Sequence, residues 1–465
     1  MNGQAIIDDM PGVLAPTFAN DNTAALQALI ATGAADIILT PGVWICTQTL
    51  SLQPGQTLKG LGSGYNYDHR SKLVFKGTGS KDFNIPGAVS PATIANPAAG
   101  NGYLGDSGTR GNSYKFLDLN AAFSVAVRLD VGSRIQDVGI YPLLAGGLEY
   151  EGGPYSDALS DNWDVGVWAD NADGWNLTRV SVQGHWRKSA FLASTRDNKV
   201  GQVGTPSCEG GHAEQCRFYG YRGVAIRTEE ADIGWGFAGT DFINCNIRSL
   251  NHRNGKLATS SALATPFASP SACLEMHGYD GKVRGIQFLN STFMGRDDIM
   301  MIADLARETM FIGCYWESKK VSVTGVGSAF GVGSRMVLTN RASLRIIGGT
   351  RYGVSTMPMV PNDPGLSSSS RYSAPNSGVN EADYYMDDEY YLPPNKYHAR
   401  FRGDVIFPQY TTAQLGDITH EVNTKGKFYG KVVFDTTSGK LARANASSAG
   451  GTWRDLTGAN LVTPT

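Results

Sequence analysis

Six stretches of this chain can be laid over one another like successive turns of one coil. From Val127 it reads VRLDVGSRIQDVGIY, from Val167 VWADNADGWNLTRVSVQG, and from Ile226 IRTEEADIGWGFAGTDFINCNIRS. From Leu274 it reads LEMHGYDGKVRGIQFLNSTFMG, from Ile302 IADLARETMFIGCYWES, and from Leu338 LTNRASLRIIGGTRYG. Each holds a short apolar strand, a polar turn, and a second strand with small or apolar residues at alternate positions. Recurrent period-2 strands with few helical stretches predict a β-solenoid, in which each turn buries its apolar face only by stacking on its neighbours.

Composition fits that architecture and removes some functions. The 465 residues carry a net charge of −2 with only 18% charged side chains, so no basic field exists for a nucleic-acid backbone. No run approaches the ~18 apolar residues of a membrane span. The start, MNGQAIIDDMPG, lacks the basic and apolar regions of a secretory signal. None of the six cysteines forms CxxC. Cys216, Cys245 and Cys314 fall at one place in the repeat (EQCRF, INCNI, IGCYW), which predicts an interior ladder of reduced thiols acting as small hydrophobes. On strict alternation Ile243, Ile247, Ile312 and Trp316 share the cysteine face. Reduced thiols imply folding in a cytosol.

Residues 1–62 read as a cap with the first strands. Asn22-Thr23 starts a short helix with Ala25, Leu26, Leu29 and Ile30 on one face, and Gly33 stops it. Such a helix covers the open end of a coil, whose bare strand edge invites aggregation. Residues 63–353 are expected to be the coil, its first part loop-rich. Its largest insertions run Pro142 to Asp164, Ser194 to His212 and Leu250 to Ser271. Residues 354–400 read as a Pro/Ser-rich linker, and 401–465 as a separate small β module.

Two of these regions carry a family resemblance. Asp21 to Gln27, Pro41-Gly42-Val43-Trp44 and Pro54 to Gly62 resemble the opening of the pectate-lyase-like superfamily. The tail KVVFDTTSGKLARANASSAGGTWRDLTG resembles the C-terminal module of many phage tail spikes. Together they resemble a bacteriophage tailspike or polysaccharide depolymerase. That resemblance implies an all-β fold, a right-handed single-stranded parallel β-helix, with a short N-terminal capping helix and a small C-terminal β module. It also implies a homotrimer on the virion, made in the host cytoplasm and joined to phage tail or baseplate proteins. Its partner would be a bacterial surface polysaccharide, capsule or O-antigen. The chain departs from the longest family members in showing no N-terminal virion-anchoring domain.

Glycan hydrolysis needs two carboxyl groups, one protonated acid and one base or nucleophile. Rungs of a parallel coil sit ~4.8 Å apart, so rung separation sets the carboxylate spacing. Glu275, Asp297, Asp298 and Glu317 are the candidate catalytic acids. Asp304, with His277 as its repeat counterpart, Asp241, and Glu229, Glu230 and Asp232 stand behind them. Tyr315, Tyr219 and Trp235 are candidates for stacking on sugar rings, with Trp163, Tyr150 and Tyr155 as weaker ones. Arg296, Arg248, Arg217 and Arg284 could hold an acidic or polar sugar. No HExxH, P-loop, GxSxG or zinc-type spacing appears, so no cofactor or metal is expected. Asp161 with Asp164, or the Glu229 group, would be the calcium site of a lyase. Three activities therefore stay open: an endoglycosidase, a β-eliminating lyase, and a spike that grips glycan without cutting it.

Overall fold

A computed structural model describes residues 3–61, 69–85, 94–95, 113–114, 117–144, 147–148, 163–184, 186–196, 206–228, 236–249, 272–278, 283–295, 299–304, 306, 308–318, 335–339, 343–347, 349–352, 355–359, 383–387, 409–424 and 427–465. The chain divides into two compact units, Met1–Asp388 and Glu389–Thr465.

In the first unit the chain visits three sheets in rotation. A representative turn runs Arg134–Gln136 in sheet A, Gly139–Leu144 in sheet B and Val165–Asp170 in sheet C. The next runs Asn176–Thr178, Ser181–Gln183 and Ser189–Ser194 in the same order. Each coil strand pairs in parallel with the strand one turn on, building sheets of eleven, ten and nine strands, while Ile94–Ala95 and Ser113–Tyr114 form a separate antiparallel pair. Sheet B includes one short antiparallel flap, Gly147–Leu148. This is the expected single-stranded parallel β-helix, with the right-handed sense that strand–crossover–strand units adopt. Pairing extends beyond residue 353: Ser355–Met359 joins sheet C and Asp383–Asp387 joins sheet A, both inside the span read above as linker.

Inside the coil, equivalent positions stack. Phe242, Phe288 and Phe311 occupy one register position on three successive strands. Their rings lie nearly parallel, with centroids 4.8 and 4.9 Å apart. Phe293 stacks on Trp316 in the same way at 4.1 Å.

The corner between sheets A and B is tight and repeats. Asp137, Arg179, Gln215, Asn244 and Asn290 take positive φ there, between 48° and 56°, and Gly313 takes 64°. This left-handed residue reverses the alternation, so the next side chain turns inward. Val138, Val180, Cys216, Cys245, Ser291 and Cys314 form that inward ladder. All six cysteines of the chain are buried and free, as the thiol ladder required. The face-sharing expectation needs correcting, however. Ile247 and Trp316 point inward with the cysteines, whereas Ile243 and Ile312 are half-exposed. The left-handed residue between Ile243 and Cys245 breaks the period that strict alternation assumed.

The N-terminal helix forms at Thr23–Ala31 and buries Ala25, Leu26, Leu29 and Ile30. Asn22 does not cap it; its side chain accepts from the Leu14 N–H instead. Asp21 takes that task, accepting from the Thr23 N–H at 2.9 Å and the Thr23 hydroxyl at 2.6 Å.

The second unit has its own core of Leu415, Val422, Val433, Ala442, Ala444 and Trp453. Its strands Val432–Asp435, Lys440–Ala444, Trp453–Asp455 and Asn460–Val462 form an antiparallel meander. Asp435 closes the first hairpin of that meander, accepting from the hydroxyls of Thr412 and Ser438.

Candidate functional site

In the rungs from Arg134 to Ser318, insertions leave the coil at two of its corners. The sheet A–B corner is a tight turn throughout the rungs from Arg134 to Ser318. The B–C corner carries residues 145–164 and 250–271, and the C–A corner carries 195–211. Sheet C is therefore bordered by insertions on both edges, and sheet B on one.

From Val165 to Glu275 the outer face of sheet C is covered by two stretches of the chain. Residues 83–85 and 117–123 place Ile85, Leu117, Leu119 and Phe123 against Val165, Trp168, Leu192, Tyr221 and Ala225. Beneath them runs a row of buried charge. Glu275 accepts from Arg222 Nε at 2.7 Å, and Arg227 Nη1 lies 3.6 Å from its other oxygen. The Leu117 N–H donates to both Glu275 oxygens, at 3.0 and 3.2 Å. Burial works against the charge on Arg222, but Glu275 outweighs it and raises the guanidinium above its usual pKa. Asp170 accepts from Arg196 Nε and Nη2, both at 2.8 Å, and from Arg128 Nε at 2.9 Å. Arg196 also donates to the Asn84 carbonyl, tying the first covering stretch down.

Sheet B presents a different surface. Register places Tyr219, Arg248, Met294, Glu317 and Tyr352 in one column across successive strands. Arg217, Asn246, Thr292 and Tyr315 form the neighbouring column. Most of these side chains are half-exposed. The Arg248 guanidinium lies over the Tyr219 ring at 4.6 Å, and its Nε donates to Asn246 Oδ1 at 3.0 Å. The result is a polar, ring-bearing ladder with one rung per strand.

The sequence candidates thus divide between two faces. Glu317, Tyr315, Arg248 and Tyr219 share the outer face of sheet B. Tyr219 is only 3% exposed, so its ring supports Arg248 more than it offers a bare platform. Glu275 stands on sheet C, 1% exposed, and does not meet Glu317. His277 and Asp304 are register partners, as their repeat positions implied. Asp297, Asp298, Arg296 and Trp235 lie outside the described residues, as do Glu229, Glu230, Asp232, Tyr150, Tyr155 and Asp161. Trp163 is not a surface ring: it is fully buried, edge-on to Phe75 at 5.1 Å. Asp164 is also buried and accepts from the Ser124 N–H. Among the described residues no group of His, Cys, Asp and Glu is arranged to hold a metal ion, and no helix is long and apolar enough to cross a membrane.

Sequence reading missed Asp170, Arg196, Arg222 and Arg227. Their partners come from distant segments, and Leu117 lies 158 residues from Glu275, so no local spacing signals the cluster.

Fold and surface together define a single-chain parallel β-helix with a polar outer ladder and a separate β unit at its C-terminal end. No family model matches the sequence, and no curated protein matches it. Among solved structures, ORF18 of Geobacillus virus E2 is 10% identical, covering 99% of this chain and 86% of its own, with a TM-score of 0.41. The tailspike gp49 of Acinetobacter baumannii bacteriophage Fri1, a capsular polysaccharide depolymerase, is 11% identical over 84% of this chain and 64% of its own, with a TM-score of 0.32. An alginate lyase from Paenibacillus is 10% identical over 73% and 97%, with a TM-score of 0.34. The expected parallel β-helix is met in the strand order and register themselves. Identities this low assign neither substrate nor chemistry.

Proposed function

We propose that the chain is a phage tailspike that binds and depolymerises a bacterial surface polysaccharide, by endoglycosidic hydrolysis with a carboxylate pair. The observation that carries the reading is the sheet B ladder. It offers a polymer repeated hydrogen-bonding and ring contacts at the ~4.8 Å spacing of parallel strands. Glu317 supplies one carboxyl group on that face. Asp297 and Asp298, which follow Gly295 in the sequence and lie outside the described residues, are the candidates for the other. Glu275, closed off from solvent, is left out of the pair. Tyr315 and Arg248 are the contacts for the sugar, with Arg296 and Trp235 as further ones.

The homotrimer belongs to the same reading. Ile243, Leu289, Ile312 and Ile347 form an apolar column on the outer face of sheet A, with the first three half-exposed on successive strands. A stripe of that kind suits burial against further copies of the chain. Residence on the virion tail and synthesis in the host cytoplasm complete the proposal.

The test is to incubate the protein with capsule and O-antigen from a panel of strains and size the products. Shortened chains are expected from one strain type. Glu317→Gln should slow their formation by about a hundredfold or more. A rise in ultraviolet absorbance from unsaturated ends would favour the lyase reading, for which Arg248 and Tyr315 are the charge-neutralising and proton-accepting residues. Binding with no shortening by the wild-type chain would leave a non-cutting spike.

A further inference from the structure

Besides the Lys188 ammonium, which donates to the Asp118 carbonyl, the stretch 117–123 has two independent attachments. One is to its companion: the Phe83 N–H donates to the Phe123 carbonyl at 3.3 Å, the Phe123 N–H donates back at 2.7 Å, and the Ile85 N–H donates to the Leu119 carbonyl at 2.8 Å. The other is to sheet C, where the Leu117 N–H meets the Glu275 carboxylate. Glu275 is itself fixed by Arg222, and Arg222 lies over the Tyr221 ring at 4.5 Å. Both members of that ion pair are fully buried.

We propose that residues 83–85 and 117–123 act as a strap across sheet C, fastened at one end by Glu275 and at the other by Asp170 through Arg196 and Asn84, and able to open while the coil beneath stays folded. The topology supports separability. The rungs under the strap are completed by their own parallel ladders, Val165–Asp170 with Ser189–Ser194 and Ser189–Ser194 with Arg222–Arg227. Only outward side chains touch the strap, while Val167, Phe191 and Val224 belong to the interior core. Closed, the strap shuts the one face that insertions border on both edges. Open, it uncovers Trp168, with Arg196 stacked over its ring at 4.6 Å, and Tyr221 with Arg222. Glu275 is here a positioning residue that acts through Leu117. The inference stands apart from the polysaccharide reading and does not depend on it.

Amide hydrogen exchange on the full chain tests it. Leu117→Pro deletes the N–H that Glu275 accepts from and leaves the buried Arg222–Glu275 pair in place. The Phe83, Ile85 and Phe123 amides should then exchange at least tenfold faster, while amides of Val165–Asp170 and Ser189–Ser194 keep their wild-type rates. Unchanged rates at the three strap amides would remove the latch. An equal acceleration throughout the coil would make the strap part of the fold's single cooperative unit. In the wild type under mild urea, the strap amides should open with a shallower urea dependence than those of sheet C. One shared dependence overturns the proposal without any variant.

Discussion

At the scale of single residues, burial decides what the cysteines can do. Desolvation pushes Cys208 and Cys273 to about 12 and Cys314 to about 11, so almost no thiolate exists near neutral pH. A thiol-reactive dye at pH 8 should label the native protein at none of its six cysteines, and all six after denaturation, counted by mass. Rapid native labelling would contradict the inward ladder. Asp137 shows the opposite balance. Partial burial works against its charged form, but Arg179, donating at 2.6 and 2.8 Å, outweighs it and holds the carboxyl below its usual value. A lowered folded-state pKa gives stability that is full above the unfolded value and lost as pH falls through the folded one. Asp137→Asn should therefore flatten the loss of stability below about pH 4, read from denaturant midpoints across pH. The thiol ladder was legible in the sequence because Cys216, Cys245 and Cys314 share a repeat position. The role of Glu275 was not, because its partner Leu117 approaches from another part of the chain.

At the scale of elements, the A–B corner and the interior stacks set the coil's tolerance. A Cβ on Gly313 would meet only the movable Asn290 side chain, at 2.4 Å. One on Gly349 would lie 2.1 Å from the Cys314 carbonyl, which is backbone and cannot swing away. Gly313→Ala should cost about 1 kcal/mol, the strain of a left-handed Ala, and Gly349→Ala distinctly more. Equal costs in urea melts would show that the corner relaxes freely. Phe288, between Phe242 and Phe311 in the stack, should lose about 3–5 kcal/mol on truncation to Ala. Met310→Ala on the outer face should lose less than about 1 kcal/mol. The strands themselves were readable as period-2 runs. The exceptions, Ile243 and Ile312, fell where one residue of positive φ interrupts the period.

At the scale of the whole molecule, the three sheets have three different outer faces. Sheet C is strapped shut, sheet B carries the polar ladder, and sheet A ends in an apolar column. If that column seats further copies of the chain, light scattering should give about three times 49.7 kDa. Leu289→Lys with Ile312→Lys should then reduce it to 49.7 kDa. A wild-type monomer would end the trimer reading.

The sequence by itself determined the coil, its cap helix and the thiol ladder. All of these follow from repeat position and alternation, which are properties of neighbouring residues. Only the tertiary structure decided which sheet each described candidate stands on and which of these water can reach. It placed Glu275 under a strap on sheet C and Glu317 in the open on sheet B. Burial and ion pairing depend on what distant segments lay across a face, and a repeat describes the face without its cover.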